Sequence, residues 1–242
     1  MTEPLFLGHL DAPKVGDQVA LGDAEGHHAA DVRRIRAGEV VLISDGAGLA
    51  VRGPVTAVAK GELTVEVAEV LQQPAAPIRY IAVQALAKGD RSELAVEVLT
   101  EAGIDTIYPW QAERSIVKWA ADRVERGLLR WRATAREAAK QSRRFRVPVV
   151  ADPLTTPELV ALIQRADLAL VLHESAERPL SSVELPAAGA VVFVIGPEGG
   201  LTDAEVAAFT QAGAQAVTIS DAVLRTSTAG VVALAQLQAL AK

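Results

Sequence analysis

The sequence predicts an α/β protein in two parts, a small β-barrel followed by a larger domain on a mainly parallel sheet. Short valine-rich segments separated by glycine turns fill the first third of the chain, as in small barrels. Strand and helix patterns alternate after Pro77, which is typical of a parallel sheet. Two prolines in residues 72–77 mark a linker. We therefore expect one domain over residues 1–73 and another over residues 74–242.

Each strand of the first part is predicted from its apolar pattern. Residues 39–45 form a short apolar run that ends at Asp45-Gly46, a turn signal. Residues 49–60 are rich in valine, and Gly53-Pro54 is expected to break them. Residues 62–70 alternate polar and apolar side chains with the period of a half-buried strand.

The second part is predicted to alternate strands and helices. Strands are expected at residues 79–84, 104–110, 167–172, 190–195 and 216–220. Helices are expected at residues 91–102, 122–145 and 226–240, and another opens at residues 202–205. The strand segments 167–172 and 190–195 are unbroken apolar runs, which is typical of buried parallel strands. Gly103 is a C-cap signal, and Thr202 with Glu205 forms a capping-box pattern.

Composition excludes several kinds of site. The 242 residues include no cysteine, which removes disulfides, thiolate nucleophiles and thiolate metal sites. The four histidines form no HExxH pair, so we expect no metal site. The first ten residues lack a signal-peptide pattern, and the longest uncharged stretch, residues 226–241, is too short to span a membrane. We therefore expect a soluble, cytoplasmic protein with no membrane contact.

A basic island, residues 114–146, lies within an otherwise acidic chain. The whole chain carries 24 basic and 30 acidic side chains, whereas the island holds eleven Lys or Arg against three acids. Trp119, Trp131 and Phe145 lie among these cations. Arginines contact phosphates and aromatic rings stack on bases, so the arginines favour an RNA surface. The alternative is a solvated helix face with the tryptophans in the core, which we favour for the tryptophans.

Two loops that follow predicted strands are the strongest candidates for a ligand site. The first contains the glycine-rich loop, Ile-Gly-Pro-Glu-Gly-Gly at residues 195–200, between a buried strand and a capped helix. Ligands bind at the carboxyl ends of strands in open α/β sheets, and glycines let the backbone approach them. The second, residues 219–228, holds the isolated Arg225, which suits an anion or carbonyl clamp. The alternatives are a plain turn and simple helix capping.

These segments together resemble the RsmE family of ribosomal RNA methyltransferases, within the SPOUT superfamily. The resemblance covers nearly the whole chain, and its most specific parts are the glycine-rich loop and Leu224-Arg-Thr226. Further matching pieces fall in family order: Lys88-Gly89, Thr100-Glu101 with Gly103, Glu113-Arg-Ser115, Glu137-Ala138, Gln141-Ser142, Arg144, Pro148, and, in the first part, His28 with Val32, Arg34 and Gly38.

The resemblance implies a fold, a reaction and partners. A PUA-like β-barrel would precede a SPOUT domain with a trefoil knot, and two subunits would pair as a homodimer. S-adenosylmethionine would methylate N3 of a specific uridine in the 16S ribosomal RNA of the small subunit. The cofactor pocket would be formed by Leu172, His173, Glu174, Ile195, Gly196, Pro197, Glu198, Gly199, Gly200, Ile219, Ser220, Leu224, Arg225 and Thr226. The RNA would be contacted by His28, Arg33, Arg34, Lys88, Arg114, Arg143, Arg144 and Arg146.

Methylation at N3 requires that an imide proton leave and that the resulting negative charge be stabilised. Arg225 is the first candidate for that stabilisation and Arg114 the second, while Glu198 would accept the proton or bind ligand hydroxyls. The chain departs from the family pattern at Ser227, where Glu is usual, and at Val98, where Lys is usual. Two alternatives stay open: a SPOUT enzyme acting on another RNA nucleotide, and a non-catalytic RNA-binding ribosome assembly factor.

Overall fold

The structure, a computed structural model, describes residues 3–241, without the side chains of Ala121 and Asp122. Met1, Thr2 and Lys242, which the predicted domains include, lie outside the described residues. The chain divides into two compact units. Unit 1 combines the chain up to Ala75 with Ala139–Val147, and unit 2 combines Ala76–Ala138 with the chain from Pro148 onward.

Unit 1 is built on a six-stranded sheet. Its strands are β1 (Leu5–Leu7), β2 (Gln18–Leu21), β3 (Val40–Ser44), β4 (Leu49–Ala59), β5 (Glu62–Glu66) and β6 (Glu69–Gln72). The strand order is β1-β3-β4-β5-β2, with β6 paired to β4. Helix α1 (Asp23–His27) and a π-helical turn (His28–Val32) lie between β2 and β3. Phe6, Ile43 and Val65 belong to the core that this sheet encloses.

The strands predicted at residues 39–45 and 49–60 are confirmed as β3 and β4. The expected break at Gly53-Pro54 is wrong, because β4 continues through it. Gly53 has no Cβ, and the backbone of Glu66 occupies the space that a Cβ would need. The single strand predicted at residues 62–70 is two strands, because β5 pairs with β2 and the second half of β4, whereas β6 pairs with the first half of β4.

Residues 139–147 complete unit 1, although they are distant from it in sequence. The Ser44 hydroxyl and the Gly48 amide donate to the Phe145 carbonyl oxygen over 2.9 and 3.0 Å. Lys140 Nζ lies 3.0 Å from Glu25 Oε1, and both side chains are largely buried. The end of the basic island is therefore an integral part of the barrel unit, a grouping that no sequence pattern predicted.

Unit 2 holds a second six-stranded sheet, in which all neighbouring strands run parallel. Its strands are β7 (Ile78–Ala85), β8 (Thr106–Trp110), β9 (Val149–Val150), β10 (Leu168–Leu172), β11 (Gly189–Ile195) and β12 (Gln215–Val217). The strand order is β12-β10-β11-β7-β8-β9.

The remaining helices begin in unit 2. They are α2 (Arg91–Ala102), α3 (Ala121–Gln141), α4 (Thr156–Arg165), α5 (Asp203–Gln211) and α6 (Thr226–Leu240). The last residues of α3 belong to unit 1. Along residues 3–241, no helix combines the length and the apolar character needed to cross a membrane.

Most of the predicted elements of the second part are confirmed. Helix α2 ends at Gly103, whose φ of 103° is left-handed, and Thr202 caps α5 in a capping box. The helix predicted over residues 122–145 is too long at its end, because α3 stops at Gln141 and Arg143 adopts a φ of 55°, which cannot continue a helix. Strand β9 and helix α4, with its own capping box at Thr155, were not predicted.

The buried core of unit 2 supports the strands at whose carboxyl ends the ligand site is expected. Trp110, Phe209 and Val194 are fully buried in this core. Trp131 is 1% exposed, and the ring of Trp119 packs edge-on against it at 5.4 Å, which confirms the core interpretation for Trp131. Because β12, β10 and β11 are parallel neighbours, their carboxyl ends meet at one edge.

Candidate functional site

A cavity of about 540 Å³ opens at the carboxyl ends of β10, β11 and β12. Its wall is formed by three loops, residues 172–174 after β10, 195–201 after β11 and 219–226 after β12. This volume falls within the range of roughly 300–1,000 Å³ that is usual for small-molecule sites. The cavity also lies where parallel α/β sheets bind their ligands.

The structure brings all of the predicted cofactor residues to this one cavity. The lining includes Leu172, His173, Glu174, Ile195, Gly196, Pro197, Glu198, Gly199, Gly200, Ile219, Ser220, Leu224, Arg225 and Thr226. Arg114 lines it as well, together with residues that the sequence did not single out, among them Leu201 and Val223. Within residues 3–241, no group of three or more His, Cys, Asp or Glu side chains could hold a metal ion.

The glycine-rich loop is shaped by both space and backbone conformation. At Gly196, a Cβ would lie 3.2 Å from the Cγ and Cδ2 atoms of Leu201, which is closer than ordinary contact. At Gly200, φ is 70°, a left-handed conformation that side chains disfavour. The two glycines therefore let the loop fold tightly at the cavity wall.

Arg114 supports this loop through its guanidinium group. Nη1 donates to the carbonyl oxygens of Gly199 and Leu201 over 3.3 and 3.1 Å. The Arg114 Cβ also lies 3.1 Å from the place where a Cβ of Gly199 would be. Arg114, the second candidate for stabilising negative charge, therefore already donates to carbonyl oxygens of the loop.

The carboxylate of Glu198 is also engaged. Its Oε1 accepts from the Lys88 amide over 3.1 Å and from Arg91 Nη1 over 3.2 Å. Partial burial favours the neutral acid, but hydrogen bonds from its own amide, the Lys88 amide and the Arg91 guanidinium outweigh this effect. The pKa of Glu198 therefore lies below its ordinary value, and the carboxylate is ionised at neutral pH.

Arg225 differs from both of these groups. It immediately precedes α6, is exposed and lines the cavity. Among the described residues, no hydrogen bond or ion pair engages its guanidinium group; only its carbonyl oxygen accepts from the following helical turn. Its positive charge is therefore available to a ligand.

Two buried polar side chains join the loops of the cavity: Thr226, which was predicted, and Gln84, which the sequence analysis missed. Thr226 Oγ1 donates to the Gly196 carbonyl oxygen over 2.6 Å, and Gln84 Nε2 donates to Thr226 Oγ1 over 3.1 Å. Gln84 is fully buried near the end of β7. The signal that could have revealed Gln84 is a single amide at the end of an apolar strand, since buried polar groups need partners.

Replacing Thr226 with valine is expected to destabilise unit 2 by about 1–3 kcal/mol, because the Gly196 carbonyl loses a buried donor. Urea unfolding measures the change in the free energy of unfolding. Thr210→Val is the matched control, since the exposed Thr210 hydroxyl donates to the carbonyl oxygens of Val206 and Ala207 in its own helix. Equal midpoints for the two variants would contradict the role assigned to Thr226.

The structure separates the predicted RNA contacts into two sets. Lys88 and Arg114 lie in unit 2. The others lie in unit 1: His28, Arg33, Arg34, Arg143, Arg144 and Arg146. Arg34 and Arg143 are exposed and adopt left-handed φ values of 54° and 55°. Such strained positions often accompany function, since glycine would occupy them at lower cost.

Arg146 does not present its guanidinium group as a free cation. Nη2 donates to the Gln73 carbonyl oxygen over 2.9 Å, and the group fills the space that a Cβ of Gly48 would need. Its Nε is buried without a partner among the described residues. These contacts favour a structural role for Arg146 within unit 1.

Comparison with known proteins gives matches over both parts of the chain. A family model described as an RNA methyltransferase domain matches residues 74–238. A second model, described as an RNA methyltransferase PUA domain, matches residues 21–68.

Individual relatives are similar along nearly their whole length. Ribosomal RNA small subunit methyltransferase E from Mycobacterium tuberculosis is 44% identical over 234 residues, covering 95% of this chain and 89% of that protein. The protein of the same name from Bacillus subtilis is 31% identical, covering 87% and 85%. The crystal structure of this methyltransferase from Neisseria gonorrhoeae, bound to S-adenosyl methionine, gives a TM-score of 0.87 at 30% identity and covers 99% of this chain and 98% of the other.

Proposed function

The chain belongs to the ribosomal RNA small subunit methyltransferase E family, and from that premise we propose that it methylates N3 of a specific uridine in 16S ribosomal RNA. S-adenosylmethionine is the methyl donor in this proposal. The observation that carries it is the guanidinium group of Arg225, which no described residue engages, in a cavity at the carboxyl edge of a parallel sheet. A cation at that place suits a reaction that creates negative charge.

The cavity fits the cofactor by size and by the character of its lining. Leu172, Ile195, Ile219 and Leu224 give it apolar surface, which suits a flat adenine ring. The glycine-rich loop leaves its backbone accessible to polar groups of a ligand. The cofactor supplies a methyl group that a sulfonium centre has already activated, so the reaction requires no metal ion.

Arg225 is the residue that we assign to charge stabilisation. When N3 of uracil loses its proton to the solvent, negative charge spreads to the two neighbouring carbonyl oxygens. A guanidinium group fixed near one of these oxygens favours the anion electrostatically. Arg225 is preferred to Arg114, because Arg114 already donates to the carbonyl oxygens of Gly199 and Leu201. The target base has to leave its stack to reach the cavity.

Ser227 does not weaken the proposal. The residue is 3% exposed and is absent from the described residues that line the cavity, whereas its neighbour Thr226 does line it. The departure from the family pattern therefore leaves the groups of the cavity in place, which favours an enzyme over a non-catalytic assembly factor.

The remaining features of the proposal follow from family membership. We propose a PUA-like RNA-binding domain over residues 1–73, which residues 139–147 complete, and a SPOUT methyltransferase domain with a trefoil knot over the rest of residues 74–242. Two copies pair as a homodimer, and the RNA target belongs to the small ribosomal subunit in the cytoplasm. In unit 1, His28, Arg33, Arg34, Arg143 and Arg144 contact the RNA.

Replacing Arg143 with glycine is expected to weaken RNA binding without destabilising unit 1, because glycine adopts a φ of 55° more easily than arginine. The plot of log K against log salt has a negative slope, and one lost phosphate contact should make it less steep by about 0.7–0.9. Binding to a 16S fragment in a salt series measures both effects. Lys60→Ala removes an exposed cation from the same unit as a control, and an unchanged slope for Arg143→Gly would exclude the contact.

Methyl transfer to isolated small subunits tests the proposed function. The subunits come from a strain that lacks this protein, the cofactor carries a labelled methyl group, and the digested RNA is analysed by mass spectrometry. We expect N3-methyluridine at a single site. Cofactor binding without transfer would point to another RNA target, and the absence of both would favour the assembly factor.

A further inference from the structure

Glu198 joins the glycine-rich loop to the β7–α2 loop, residues 86–90. One oxygen, Oε1, receives the Lys88 amide from this loop and the guanidinium group of Arg91, the first residue of α2. The two distances are 3.1 and 3.2 Å. A single carboxylate on the cavity wall therefore holds a loop that carries an exposed lysine.

The start of the β7–α2 loop is held by a different side chain, Ser92. The Ser92 hydroxyl accepts from the Ala87 amide over 3.0 Å and donates to the Ala87 carbonyl oxygen over 3.2 Å. Gly89 follows Lys88 with a φ of 64° and no neighbour within 4 Å of a Cβ. Ser92 thus fixes the start of the loop from within the same segment. Lys88 is held instead by Glu198, which follows β11, the neighbour of β7 in the sheet.

The ammonium group of Lys88 is free for a ligand. The residue is exposed, and no bond or ion pair of Lys88 Nζ occurs among the described residues. Lysine binds phosphates as a point charge. Its backbone is fixed beside the cavity, so its charge can meet a phosphate near a base that has entered the cavity.

We infer that Glu198 is a positioning residue and not the proton acceptor: it holds the β7–α2 loop so that Lys88 receives an RNA phosphate at the mouth of the cavity. This inference rests on the proposed function. The Lys88 amide and the Arg91 guanidinium group both hold Oε1, so the carboxylate is committed to joining the loop to the first residue of α2. The lowered pKa of the carboxylate also makes it a poor base.

Three variants distinguish positioning from proton transfer. Glu198→Gln keeps an acceptor for the Lys88 amide but loses the charge opposite Arg91, Glu198→Ala loses both, and Arg91→Ala removes the partner. Positioning predicts graded effects on the KM for small subunits: roughly three- to tenfold increases for Glu198→Gln and Arg91→Ala, and a larger increase for Glu198→Ala. A proton acceptor predicts instead that both Glu198 variants lose kcat equally and that Arg91→Ala resembles the wild type.

Hydrogen exchange of the Lys88 amide tests the contact without any turnover. We expect protection in the wild type and faster exchange in Glu198→Ala, while the Ala87 amide, held by Ser92, keeps its protection. Unchanged exchange at Lys88 would overturn the inference even if the protein is an active methyltransferase. Failure of the wild type to transfer methyl groups would instead count against the proposed function. Arg178→Ala is the charge-matched control for Arg91→Ala, since its guanidinium group bonds Ser182 and Gln215 and no other residue that the structure describes.

Discussion

Replacing Gly196 with valine is expected to abolish S-adenosylmethionine binding while unit 2 stays folded. A Cβ at this position lies 3.2 Å from two carbon atoms of Leu201, and the two additional methyl groups of valine have to displace Leu201 or enter the cavity. Either outcome changes the wall that the glycine-rich loop forms. We expect the Kd of the cofactor to rise at least about a hundredfold, which corresponds to roughly 3 kcal/mol. Titration calorimetry measures this change.

Gly213→Ala is the matched control for this variant. Gly213 lies in the turn after α5, with a φ of 108° and nothing within 4 Å of a Cβ. Alanine at this φ strains the backbone, so the variant should lose about 1 kcal/mol of stability. Gly213 does not line the cavity, so the affinity for the cofactor should stay unchanged. Normal affinity in Gly196→Val would exclude the cavity as the cofactor site, and loss of its thermal transition would show that unit 2 had unfolded.

Replacing Arg225 with alanine is expected to lower kcat by about 10²–10³-fold, the usual loss when one stabilising donor is removed. In its proposed role, the guanidinium group favours the uracil anion and so lowers the pKa of N3 in the bound base. Without it that pKa is higher, and a smaller fraction of the base is ionised at neutral pH. The pH–rate profile should therefore move to higher pH, with partial recovery of the rate in alkaline buffer.

Single-turnover rates at saturating cofactor and RNA measure this effect directly. Arg225→Lys keeps the charge but not the planar group, so it should fall between the wild type and Arg225→Ala. If Arg225→Ala binds RNA more weakly but reacts at the wild-type rate, Arg225 contacts a phosphate and not the base. A profile that keeps its position on the pH axis would also exclude the assigned role.

Local patterns were sufficient to predict most of unit 2. The apolar runs that became β10 and β11 exclude polar side chains because both faces of these strands are covered, so the sequence reveals them directly. Thr202 and Gly103 mark helix ends, because capping bonds and left-handed turns need particular residues. The cavity loops follow such strands, which is why their positions could be predicted.

Contacts between distant segments could not be predicted in this way. Glu198 and Arg91 are 107 residues apart, and neither residue carries a local signal of the other. Arg146 was predicted to contact RNA, whereas its guanidinium group bonds Gln73 and packs against Gly48, from another part of the chain. Side-chain partners of this kind depend on tertiary packing, which residue spacing alone does not specify.

The discontinuous chain of unit 1 has a consequence for its synthesis on the ribosome. The first 75 residues emerge well before residues 139–147, which supply the Phe145 carbonyl to Ser44 and the Arg146 guanidinium to Gln73. Until that segment has left the exit tunnel, the nascent barrel lacks these bonds and the Lys140–Glu25 pair. The first unit to be translated is therefore completed only after a large part of the second has been made.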